Sequence, residues 1–192
     1  MFAQRSSSSN PNLGIGVRLG DPTGLTVKKY MGRNALEFNI GRTYMFSGGS
    51  RYYNRRFDDW YDDWHRNYPH YRELEYVGYS RSVPISMQLH YLFHRDIKEV
   101  ENLQWYWGLG AQLRIQKYKY KYRYKLDGSP YWYYEEEGVT DLDVGVDGVL
   151  GVEYRIPTLP VSVFADIDLF MEVADNPFAF WFQGGLGARY NF

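Results

Sequence analysis

The chain has 192 residues, enough for one domain with a full core, and its 22 basic against 23 acidic residues exclude the overall positive field of a nucleic-acid-binding protein. It contains no cysteine, which removes a disulfide framework, a thiolate metal centre and cysteine nucleophiles together. With 20 Tyr, 11 Phe and 6 Trp beside 19 Gly, and no run near the roughly 18 apolar residues of a membrane-crossing helix, the composition points to strands and tight turns.

The opening Met1-Phe2-Ala3-Gln4 lacks the basic and apolar regions of a secretory signal, so an export signal is not present in this sequence. Ala3 reads as the residue before a cleavage site, and residues 1–12 as a flexible N-terminus. From Leu13 onward eight segments alternate in polarity. The first sets Leu13, Ile15, Val17 and Leu19 against Gly14, Gly16, Arg18 and Gly20, and Asp21-Pro22-Thr23-Gly24 turns it. The second spans Leu25 to Met31. After Gly32-Arg33-Asn34 the third opposes Leu36, Phe38 and Ile40 to Glu37, Asn39 and Gly41. A long polar and aromatic excursion, about 43–82, follows.

The fourth segment sets Val83, Ile85, Met87, Leu89, Tyr91 and Phe93 against Ser86, Gln88, His90 and His94. The fifth opposes Trp105, Trp107, Leu109, Ala111, Leu113 and Ile115 to Tyr106, Gly108, Gly110, Gln112, Arg114 and Gln116, then continues as a Lys/Tyr ladder to Leu126. A second excursion occupies about 117–140. The sixth alternates Leu142, Val144, Val146, Leu150, Val152 with Asp143, Gly145, Asp147, Gly151, Glu153 and Arg155. Pro157-Thr158-Leu159-Pro160 leads into the seventh, where Val161, Val163, Ala165, Ile167 and Leu169 face away from Ser162, Asp166, Asp168 and Glu172. After the Asp175-Asn176-Pro177 turn, the eighth sets Phe180, Phe182, Leu186, Ala188, Tyr190 and Phe192 against Gln183, Gly185, Gly187, Arg189 and Asn191. A single helical turn near Phe57 to His65 is the one competing period.

The polar face is rich in glycine and in charges of both signs, which suits a narrow eight-stranded lumen better than a water-exposed sheet face. Both excursions fall on one side of an up-and-down barrel, and the opposite side receives short turns. The expected fold is therefore all-β: an eight-stranded antiparallel up-and-down transmembrane β-barrel over residues 13–192, with extracellular loops at about 43–82 and 117–140 and periplasmic termini. Its lumen would hold a plugging charge network of Arg18, Glu37, Arg114, Asp143, Asp147, Glu153, Arg155, Asp166, Asp168 and Arg189.

The final Gly187-Ala188-Arg189-Tyr190-Asn191-Phe192 resembles the C-terminal signal read by the barrel-assembly machinery, with Tyr190 and Phe192 as its aromatics. The strand plan from Leu13 to Phe192 looks like the small outer-membrane barrels of the OmpA-barrel, OmpX and OmpW type. The Leu13 to Gly24 opening is similar to barrels of Bacteroidota. That resemblance implies the bacterial outer membrane as location, with lipid, lipopolysaccharide and, during insertion, the assembly machinery as partners. It leaves activity open, because such barrels share architecture across many roles.

Candidate sites lie mainly beyond the barrel. In the first excursion Trp60, Tyr61, Trp64, Arg55 and Arg56 combine the residue types that dominate contact surfaces, and the neighbouring Asp58, Asp59, Asp62 and Asp63 lack the spacing of a calcium loop. In the second, a turn at Asp127-Gly128-Ser129-Pro130 brings Glu135, Glu136 and Glu137 back beside Lys119, Lys121 and Tyr122. Lys117 and Lys119 then point outward at the height of lipopolysaccharide phosphates. His65, His70, His90 and His94 form no nucleophile–base set, and neither strand histidine has the His-x-Ser spacing of the lipid A deacylases. The sequence reading is a non-enzymatic outer-membrane protein without metal or cofactor, a structural or accessory subunit of a larger outer-membrane complex that presents its loops to a partner or surface. Its alternatives are a narrow channel and a lipid A-modifying barrel enzyme.

Overall fold

The computed structural model describes residues 12–43, 71–126, 128–174, 178 and 180–192. Nine strands follow one another: β1 Leu13–Gly20, β2 Thr23–Met31, β3 Asn34–Arg42, β4 Tyr71–Arg81, β5 Ile85–Asp96, β6 Leu103–Leu126, β7 Tyr133–Arg155, β8 Val161–Glu172 and β9 Phe180–Asn191. Eight of them form a closed antiparallel ring in the order β1-β2-β3-β5-β6-β7-β8-β9. Closure is made by β1 against β9, from Gly14 opposite Asn191 to Gly20 opposite Gly185. Every ring strand thus has two partners, and no sheet edge is left in the ring.

The alternation seen in the sequence sorts side chains across the wall as expected for period-2 geometry. Val17, Leu25, Leu109, Ile167 and Leu186 are exposed on the outside, whereas Arg18, Lys28, Glu37, Asp168 and Arg189 are buried within. This is the reverse of a water-soluble domain, whose apolar side chains go inward. Glycines make the narrow interior possible. A Cβ on Gly185 would sit 2.4 Å from the Arg18 guanidinium carbon, and one on Gly151 the same distance from the Tyr106 ring. At the end that carries the termini, Tyr30, Ala35, Leu92, Tyr106 and Val149 pack together inside the ring.

The segment 71–81, read from the sequence as part of the first excursion, is a strand. β4 runs along Leu126 to Tyr118 of β6, on the same edge that β5 occupies from Ile115 to Gln104. It is the upward continuation of β5, broken at Ser82–Pro84. There the Ser82 amide still donates to the Lys117 carbonyl (2.9 Å), the register shifts by one residue, and Pro84 has no amide to offer. Two further register shifts in β4, between Tyr71 and Glu73 and between Tyr76 and Gly78, disturb its side-chain alternation. Strict period-2 reading therefore misses it. The arms of the second excursion are likewise strands, paired without interruption from Leu103/Tyr154 up to Tyr124/Tyr133. The expected helical turn near 57–65 and the turn at 175–177 lie outside the described residues.

Candidate functional site

Inside the ring the charged side chains form two linked clusters. In the first, Glu153 accepts from Lys28 Nζ (2.7 Å), from the Tyr30 hydroxyl (2.6 Å) and from Arg189 Nη1 (3.4 Å). Glu37 takes the other side of both cations, from Arg189 at 2.7 Å and Lys28 at 3.4 Å. Arg189 also donates to Thr26 Oγ1 and lies 3.6 Å from the centre of the Phe164 ring, and Lys28 sits 4.1 Å from the centre of the Tyr106 ring. In the second cluster Arg18 bridges Asp166 and Asp168, the latter at 2.8 Å, while the Tyr106 hydroxyl donates to Asp166 (3.2 Å) and His90 Nε2 meets Asp147 at 3.2 Å.

An amide layer separates these clusters from the opposite end. Asn39 donates to Gln88, Gln88 to Gln112 and Gln183, and Gln112 to Ser86. Beyond it Arg114 pairs with Asp143 at 3.7 Å and lies against the Phe170 and Trp181 rings. A low-dielectric interior makes an unpaired charge expensive, and here cations are shared between carboxylates and ring faces. Among the described residues, Arg18, Lys28, Arg114 and Arg189 each meet at least one carboxylate inside the bore.

Of the ten residues expected in the lumen, nine are buried, and Arg155 is half-buried at the mouth by the termini, 4.9 Å from the Tyr30 ring centre. Sequence reading missed Lys28 and Tyr30, although Leu25 and Val27 against Thr26 and Lys28 carry the same alternation that marked the other strands. It placed Tyr106 on the inward parity but passed over Phe164 and Phe170, inward residues whose apolar character hid them among the outward ones. His90 is buried in the interior, held by Asp147.

Above the ring, β4 with the upper parts of β6 and β7 makes a three-stranded sheet. Lys121 pairs with Glu136 at 3.1 Å, and Tyr122 faces Glu135, but Lys119 faces Gly138 and Ser80 rather than an acid. Lys117 faces Thr140, and both Lys117 and Lys119 are exposed. Arg123 is bound by Glu75 and, with Lys125, lies over the Trp132 ring. Tyr120 and Tyr122 occupy the inward parity and are buried. Trp60, Tyr61, Trp64, Arg55 and Arg56 lie outside the described residues. At the other end of the chain Tyr190 and Phe192 are exposed on the outer wall with their rings edge to face at 4.8 Å.

A closed ring of eight antiparallel strands, apolar outside and charged inside, defines a small β-barrel of outer-membrane type. Among solved structures the chain is similar to the N-terminal β-barrel domain of Pseudomonas aeruginosa OprF, at 10% identity and a TM-score of 0.45 over 94% of this chain and 95% of that one. It is also similar to Neisserial surface protein A, at 11% identity and a TM-score of 0.41 over 94% of each chain. No protein-family model and no curated protein matches the sequence.

Proposed function

We propose that the chain is a non-enzymatic bacterial outer-membrane protein with periplasmic termini, a structural or accessory subunit that offers a tall sheet and the loop beside it to a partner or to the cell surface. The observation that carries this reading is the asymmetry of the wall. β6 and β7 have 24 and 23 residues against 8 to 12 in the other ring strands, and their surplus, with β4, rises on the side opposite the termini. At about 3.3 Å per residue the ten or so extra residues add roughly 30 Å of strand beyond what a bilayer requires. A protein that only sealed or leaked through a membrane has no use for that height.

The exposed Lys117 and Lys119, at the base of the tall sheet and just above the apolar Leu113 and Ile115, are suited to lipopolysaccharide phosphates. Tyr190 and Phe192 are the reading points for the assembly machinery, and Trp60, Tyr61, Trp64, Arg55 and Arg56 are the partner contacts of the loop. Extraction of the natively expressed protein from membranes in mild detergent, followed by mass spectrometry of what accompanies it, tests the reading. A stoichiometric envelope partner is expected. A barrel recovered alone would count against the accessory role, and recovery from the cytosol would overturn the membrane location.

A further inference from the structure

At the barrel end that carries the termini, two adjoining cavities of 270 and 370 Å³ share Gly32, Arg33, Asp96 and Gln104. Arg33 comes from the β2–β3 turn, Arg95 and Lys98 from the end of β5 and the turn after it, and Arg155 from the end of β7. Four cations on three separate connections thus converge on one opening, which is held together by Asn12 accepting from the Tyr30 amide at 3.0 Å. Among the described residues the one carboxylate in the lining, Asp96, already accepts from Gln104 at 2.7 Å. Glu99 and Glu101 belong to the same turn but do not line the cavities.

Among the described residues no carboxylate lies within ion-pair distance of Arg33, Lys98 or Arg155. This contrasts with the interior, where Lys28, Arg18 and Arg189 each serve two acids. Two nitrogen atoms at the mouth, Nε of Arg155 and Nε2 of His94, are buried without a hydrogen-bond partner. Tyr30 and His94, whose ring centres are 6.4 Å apart, belong to the lining, and the carboxylate next inward, Glu153, is already taken by Lys28 and Arg189. A polar, cation-lined cup of this kind has the geometry of an anion site.

We propose that this mouth binds an anionic group, a phosphate or a carboxylate, held between Arg33 and Arg155, with Lys98 adding charge at the rim. The planar guanidinium fork matches either oxyanion with two parallel hydrogen bonds, which a lysine cannot do. The binding stands apart from the membrane reading, which bears only on the compartment that supplies the anion.

The test uses the full chain folded in a zwitterionic detergent at low ionic strength, with folding scored by heat-sensitive migration on a gel. Isothermal titration is run with inorganic phosphate in one arm and a triglutamate peptide in the other. One saturable site is expected for at least one probe, and the tighter of the two identifies whether the natural anion is a phosphate or a carboxylate. Affinity should fall at least tenfold in Arg33→Gln/Arg155→Gln and stay within twofold in Lys121→Gln/Lys125→Gln, which alters the other end. Arg33→Gln alone, on an exposed turn, covers the case in which the double variant does not fold, with an expected loss of threefold or more. No saturable binding of either probe, or equal weakening in the Lys121/Lys125 control, would overturn the proposal.

Discussion

Glu153 shows how single residues hold this interior together. Its two oxygens satisfy an ammonium, a guanidinium and a phenol at once, and Glu37 completes the pairing of both cations from the opposite side. Replacing it with glutamine keeps the shape but leaves Lys28 and Arg189 with one carboxylate between them. Breaking a buried pair from one side costs about 3 to 5 kcal/mol, because the surviving charge stays desolvated. Glu153→Gln should therefore lower the unfolding free energy in detergent by about that amount, read from urea titration of the tryptophan signal. Lys28→Met added to it should recover part of the loss, since it removes the cation that was left over. If the single variant unfolds like the parent, the network is not what fills the bore.

At the scale of elements, β6 and β7 perform two tasks with one ladder. Below Lys117 they close the ring, and above it they form a hairpin whose other strand neighbour, among the described residues, is β4. The ring strands do not depend on that upper part for their pairing. Because Lys117 and Thr140 are directly opposite, residues 118–139 can be replaced by a two-residue Asn-Gly turn with no change in register. The shortened chain is expected to keep heat-sensitive gel migration and β-rich circular dichroism, while losing whatever partner the intact protein carries out of the membrane. Failure of the shortened chain to fold would mean that the tall sheet is part of the barrel's folding unit.

For the molecule as a whole, the decisive property is the inverted distribution of polarity. Leu109 lies midway along the outward apolar run of β6 and is 66% exposed. In water such a site tolerates arginine. Facing a bilayer midplane, arginine costs about 2 to 4 kcal/mol relative to the apolar residue. Leu109→Arg should accordingly reduce the folded fraction in lipid vesicles, measured by the same gel shift, while the same change at exposed Tyr131, on the tip of the hairpin, has no effect. Equal behaviour of the two variants would remove the membrane reading and leave a water-soluble barrel.

Period-2 alternation located the eight ring strands and told inside from outside along nearly all of them, because one residue in two must face each side of any strand. It exposed Arg18, Glu37, Asp147, Glu153 and Arg189 as interior residues for the same reason. It failed at β4, where bulges break the parity and the paired residues lie 37 to 55 positions away. Pairing partners inside the bore were also beyond it: Arg18 meets Asp166 and Asp168 across the ring, at separations of 148 and 150 residues, a proximity that only closure creates. The cup at the termini arises in the same way. Arg33 and Arg155 are unremarkable turn and strand-end residues in the chain, and they share a cavity only because β1 returns to β9 and brings the β2–β3, β5–β6 and β7–β8 connections to one rim. Local polarity thus settled which way each side chain points. Which charges neutralise one another, and which are left to meet a ligand, was decided by the geometry of the closed ring.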